Sequence, residues 1–175
     1  MEENHKEETP KETPLMVFAE KNYNAIKKAE AYSILIFAIG FICYVLKVPK
    51  TDFILITGAI LTATTFYLQG YKVYEYEDLE SFNGLGSVIF INFFYKLYFF
   101  SLSVCAIAML GFVIKFPFWK MMSFWGGITL IAVFILTFFS KIKDKSRVYD
   151  LKFYVRLLVC VGLLIYLAYV KGIVK

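Results

Sequence analysis

Apolar residues in this chain neither alternate nor form a one-sided stripe; they come in five runs. These are 31–46 (AYSILIFAIGFICYVL), 53–68, 87–114, 121–139 and 151–170. Asn92 and Lys96 interrupt the third run near its start, and Lys152 and Arg156 interrupt the fifth. A helix of roughly 20 residues crosses about 30 Å of hydrocarbon. The first two runs are shorter than that, and flanking Lys and Tyr make up the difference by snorkelling. Ile, Phe, Tyr and Val also suit strands, but barrel strands are about ten residues long and alternate in polarity. The pattern therefore predicts an all-α membrane protein of about five transmembrane helices.

Two breaks share one design. The segments LKVPK at 46–50 and IKFPF at 114–118 each stop an oily run with Lys-x-Pro, and the run resumes within a few residues. Proline biases the preceding residue away from helix and can open the next one. A lysine does not sit deep in hydrocarbon, so Lys47 and Lys115 fix the depth of the turns. Thr51 or Asp52 can cap the second helix. The expectation is two tight helical hairpins, with turns at Lys47–Pro49 and Lys115–Pro117.

Aligning Lys47 with Lys115 also pairs Ser33 with Ser101, Ala38 with Ala106 and Ile39 with Ile107. It further pairs Val45 with Val113, Pro49 with Pro117, Gly58 with Gly126 and Ile60 with Ile128. We read one hairpin used twice. Each copy holds two helices, so both enter in the same orientation, a parallel repeat about an axis along the membrane normal. The resulting plan is a polar tail at 1–15, an interfacial or helix-extending segment at 16–30 and hairpin one at 31–68. A cytoplasmic loop at 69–86, hairpin two at 87–139, a basic cytoplasmic loop at 140–150 and a fifth helix with the C-terminus at 151–175 complete it.

Composition strengthens the membrane reading. The chain is 59% hydrophobic and 19% charged, with mean hydropathy +0.64, against roughly half apolar and a quarter charged in soluble domains. Twelve of the thirty-three charged residues fall within residues 1–30. Five spans place residues 1–30, the 69–86 and 140–150 loops and the first turns of helices three and five on one side, with thirteen of the nineteen Lys and Arg residues. The positive-inside rule makes that side cytoplasmic and the C-terminus external. The acidic tail MEENHKEETPKETPL reads as disordered rather than as a signal peptide. The pI near 9.0 reflects lysines flanking the membrane and gives no reason to expect nucleic acid.

Candidate chemistry is sparse. The single histidine, His5, lies in the tail, away from the apolar runs, so a His-based metal site or triad in the membrane region is excluded. Cys43, Cys105 and Cys160 fall inside apolar runs and read as small apolar residues. No run holds a central Asp or Glu of the kind that proton-driven carriers use. No phosphate loop or nucleophile elbow is present, so neither catalytic residue, cofactor nor metal is expected and the chain is read as a non-enzyme. Gly58, Thr62, Thr65 and Gln69 share one helical face, and Ser101, Cys105 and Ala108 share another. Small and hydroxyl residues let membrane helices approach, so both are read as packing faces. Lys96 and Arg156, each with a polar residue four before it (Asn92 and Lys152), form a candidate contact for an anionic lipid headgroup.

The stretch GFICYVLKVPKTDFILITGAIL resembles the two-helix membrane part of the gliding-motility and type IX secretion motor subunit. That family has a lysine near the end of its first helix and a glycine within its second. It also carries a functional glutamate shortly after that glycine, where this chain has Thr62 and Leu130. The resemblance therefore implies a hairpin style of small bacterial inner-membrane proteins without proton-driven torque. The reading is a multi-pass protein of the bacterial inner (cytoplasmic) membrane with a cytoplasmic N-terminus. Its expected role is a non-catalytic scaffold or assembly subunit, with lipids, a second copy or other membrane proteins as partners. The alternative is a small transporter or channel, acting as an oligomer.

Overall fold

The structure is a computed structural model that describes residues 13–72, 85–144 and 151–170. Side chains are described for 13–72, 92–138 and most of 153–169. The 1–15 tail, the 69–86 and 140–150 loops and the C-terminal residues lie largely outside this set.

Among the described residues there are six helices and no strands: α1 Pro14–Lys21, α2 Tyr23–Val45, α3 Asp52–Gln69, α4 Leu85–Val113, α5 Trp119–Asp144 and α6 Leu151–Val170. Four are long and apolar enough to cross a membrane, over Tyr23–Val45, Asp52–Gln69, Asn92–Val113 and Trp119–Phe138. The described apolar part of α6 is shorter, Phe153–Leu163. The 16–30 segment divides. Residues through Lys21 form a separate helix, whereas 23–30 extend the first apolar run. Asn22 makes the break, its Nδ2 donating to the Phe18 carbonyl at 2.9 Å. Such a local side-chain bond offers the backbone an alternative to continuing the helix.

Both Lys-x-Pro turns close with the same hydrogen bonds. After α2, Lys47 N–H donates to Tyr44 O (3.1 Å) and Val48 N–H to Cys43 O (3.0 Å). After α4, Lys115 N–H donates to Phe112 O (3.4 Å) and Phe116 N–H to Gly111 O (2.8 Å). This is the Schellman arrangement, whose key residue is left-handed. Lys47 and Lys115 hold that position with φ of 56° and 59°. Neither proline begins a helix: Pro49 and Pro117 lie inside the turns, and α3 and α5 start at Asp52 and Trp119. Nor does Thr51 cap α3, because its hydroxyl donates back to the Val48 carbonyl at 2.8 Å.

α4 lies at the centre of the bundle, packing against α3, α5 and α6. Tyr98, Phe99, Leu102 and Cys105 of α4 meet Phe66 of α3, Leu130 and Val133 of α5, and Phe153 and Leu157 of α6 in one core. α2 packs chiefly on α3. There the backbones nearly touch: a Cβ added at Gly40 would lie 2.6 Å from Leu55 Cα, and one added at Gly58 would lie 2.6 Å from Phe37 Cα. Any side chain at either glycine would force the helices apart. The outward faces of α2 and α5 carry large apolar residues such as Leu35, Ile39, Ile42, Phe124, Trp125 and Ile131.

Candidate functional site

A polar centre joins the two ends of the chain. Glu30, one turn before Ser33 on α2, is 1% exposed. Gln69, the last residue of α3, donates its Nε2–H to Glu30 Oε2 at 2.9 Å. Arg156 of α6 reaches the other carboxylate oxygen, with Nη2 2.7 Å from Oε1. One turn deeper, Ser33 Oγ donates to the Glu30 carbonyl at 2.9 Å and lies 3.3 Å from Thr65 Oγ1. Thr65 in turn donates to the Thr62 carbonyl at 3.0 Å.

The surroundings fix this geometry. Phe153 and Leu157, flanking Arg156 along α6, are buried in the core. The Tyr98 hydroxyl donates to the Phe153 carbonyl at 3.0 Å, and the two rings stack with centroids 3.9 Å apart. This anchors α6 one turn before Arg156. A carboxylate removed from water carries a desolvation penalty of several kcal/mol. Two partners on its two oxygens offset that penalty.

Beyond this centre lies a groove of about 370 Å³. Its floor is buried Thr62, Phe66, Leu102, Ala106 and Met109, from α3 and α4. Its rims are α2 (Ile34, Ala38, Ile42) and α6 (Val155, Val159, Leu163), with Arg156 also in the lining. The lining is otherwise nearly all apolar. Thr62 is 3% exposed, and its Oγ1 has no hydrogen-bond partner among the described residues.

The residues picked out from the sequence separate into distinct places. Gly58, Thr62 and Thr65 are buried on α3, and Ser101, Cys105 and Ala108 are buried on α4. Cys43, Cys105 and Cys160 are free thiols. Lys96 and Arg156 do not share one site. Lys96 Nζ lies 5.6 Å from the Tyr71 ring centroid, whereas Arg156 pairs with Glu30. The Lys152 side chain lies outside the described residues, and Asn92 is half-buried on α4. Beside Lys96, Tyr71 shares a 2.8 Å hydrogen bond with Tyr67. That bond, with some burial, raises the Tyr71 phenol above its ordinary value, so the ring facing Lys96 stays neutral at physiological pH.

Sequence reasoning missed Glu30; it puts Gln69 on the face of Gly58, Thr62 and Thr65 but gives it no acidic partner. The charged neighbours of Glu30 put it in the polar segment ahead of the first apolar run. The usable signal was Arg156, a cation two turns into an oily helix, which implies a buried counter-charge elsewhere. No group of three or more His, Cys, Asp or Glu residues that could hold a metal is present among the described residues. Comparisons with protein-family models, curated proteins and solved structures return no match.

Proposed function

We propose that this chain is a multi-pass integral protein of a bacterial inner membrane, acting as a non-catalytic scaffold or assembly subunit. One observation carries the reading. The polar groups of α2 and α3 turn inward and bond one another, while the outward faces of α2 and α5 present large apolar side chains. Such faces suit lipid and the helices of other membrane proteins. In this reading α6 is a fifth span, the N-terminus is cytoplasmic and the C-terminus external, following the cation asymmetry.

The hairpin repeat belongs to the same proposal. Its support is the matched turn hydrogen bonds and a matched contact. Gly58 abuts Phe37, and Gly126 abuts Cys105, the residue aligned with Phe37. Single cysteines at Lys50 and Lys120 should both react with an impermeant thiol reagent from outside. Labelling of one alone would show that the hairpins are not equivalent. A reporter fused after Lys175 that works only in the cytoplasm would remove the fifth span.

The scaffold role is tested by size after gentle extraction from membranes. Assemblies larger than one chain are expected; a lone chain that conducts solute in liposomes would overturn it. The buried Glu30–Arg156–Gln69 centre favours transport as a second reading, because ionisable groups inside membrane bundles mark ion and substrate paths. Flux that disappears with Glu30→Gln would carry that reading instead.

A further inference from the structure

We propose that the groove between α2 and α6 seats one acyl chain of an anionic membrane lipid, with its phosphate at Arg156 and Lys27. The inference rests on the membrane reading above. The shape is the first argument. Floor residues are buried, whereas rim residues Ile42 and Val159 are more than half exposed, at 56% and 55%. The groove therefore opens sideways between two helices, toward whatever surrounds the bundle. Its lining is apolar apart from Arg156 and Thr62, the kind of surface that a hydrocarbon chain fills.

Charge is the second argument. Arg156 lines the groove and is 28% exposed. Its planar guanidinium has five N–H donors, and Glu30 is its ion-pair partner among the described residues. Lys27 is exposed and precedes Ile34 by two helical turns, on the same face of α2. Two cations against one carboxylate leave this end of the groove positive. A juxtamembrane cation attracts an anionic headgroup by about 1 kcal/mol.

Thr62 supplies the third and independent argument. The other buried threonines spend their hydroxyls on their own helices, Thr65 on the Thr62 carbonyl and Thr137 on Val133. Thr62 does not: its Oγ1 is buried, unpartnered and set in the groove wall. It lies seven residues from Gln69 along α3, roughly 10 Å from the polar centre. That is the side on which the ester carbonyls of a lipid hang below its phosphate, and the free O–H can donate to one of them.

The test uses the full chain, purified in mild detergent and examined by native mass spectrometry. Phosphatidylglycerol and phosphatidylcholine with identical acyl chains are the probes. The wild type should retain one phosphatidylglycerol per chain, with about fivefold preference over phosphatidylcholine. Ala38→Phe places a ring in the groove from an exposed rim position and should abolish retention while leaving thermal stability unchanged. Thr62→Val should weaken retention of both lipids. The triple change Lys27→Gln, Glu30→Gln and Arg156→Gln removes both cations with the carboxylate and should erase the preference but not retention. Equal retention of the two lipids by the wild type, or unchanged retention by Ala38→Phe, would overturn the site in favour of ordinary surface lipid. Ala38→Phe that alters oligomer size and not lipid retention would overturn it in favour of self-association. Carbonate extraction of the same protein from membranes reports separately on the membrane reading.

Discussion

The α2–α3 and α4–α5 hairpins share a turn but place different chemistry at matching positions. Glu30 aligns with Tyr98, and Gln69 with Thr137. In the first hairpin these two positions bond each other across the helices, and Glu30 reaches out to Arg156. In the second, Thr137 bonds back to its own helix, and Tyr98 reaches out to the Phe153 carbonyl. Both hairpins thus hold α6 from the equivalent position, one through a side-chain ion pair and the other through a backbone acceptor. The contrast shows where membrane-protein specificity can reside. The turn and the helix crossing set the frame, and a single register position decides which partner the frame recruits.

The largest way to break this comparison is at Glu30. Glu30→Ala strands Arg156 without its carboxylate. Breaking a buried pair costs about 3–5 kcal/mol, and the partial exposure of Arg156 puts this case near the low end. Unfolding temperature in detergent should fall sharply, and Glu30→Leu combined with Arg156→Met should recover most of the loss. A single substitution with no effect would mean that the pair does not fasten α6.

Glycine substitution comes next, because the two hairpins differ in what lies opposite. A Cβ at Gly58 meets the Phe37 backbone at 2.6 Å, whereas one at Gly126 meets the Cys105 sulfur at 2.8 Å. A side chain can move aside more cheaply than a helix backbone. Gly58→Ala should therefore destabilise by about 1–3 kcal/mol and Gly126→Ala by less, measured in the same melting assay. The reverse order would show that the first crossing is looser than the structure gives.

Tyr98→Phe removes one hydroxyl and keeps the ring stacked on Phe153. The expected loss is about 1 kcal/mol, well below that of Glu30→Ala. Smallest is a gain. Lys47→Gly and Lys115→Gly relieve a left-handed residue that carries a Cβ, and each should stabilise by about 0.5–1 kcal/mol. Similar gains at the two sites would sharpen the equivalence of the turns; a gain at one alone would break it.

Much of the fold was legible because hydrophobic runs and Lys-x-Pro breaks are local signals. All of 31–46 but Leu46 falls within α2, 53–68 falls within α3, and 121–139 falls within α5. The close approach at Gly58 was legible as well, since a glycine facing compact threonines has a steric meaning by itself. The polar centre was not. Glu30 sits among Lys27, Lys28 and the charged tail, so its neighbours in sequence describe a water-facing segment. Its burial comes from α3 and α6, which no window around residue 30 contains. Arg156 stands out in an oily helix, but the sequence alone gives its counter-charge no address. Asn22 is a subtler case. One side-chain bond to Phe18 divides a segment that composition alone left as a single piece.

The pairing of Glu30 with Arg156 also bears on how the chain is made. Translation delivers α2 and α3 first, and with them a carboxylate held by Gln69 but lacking a cation. The matching guanidinium emerges later, on α6. Until α6 arrives, the half-built bundle carries an acid without its cation, and a bundle held less tightly opens more often to proteolysis. The arrival of α6 is thereby recorded at a residue of α2. A nascent chain cut short after α5 should be cleared faster than the full-length chain, and Glu30→Gln should lengthen its life.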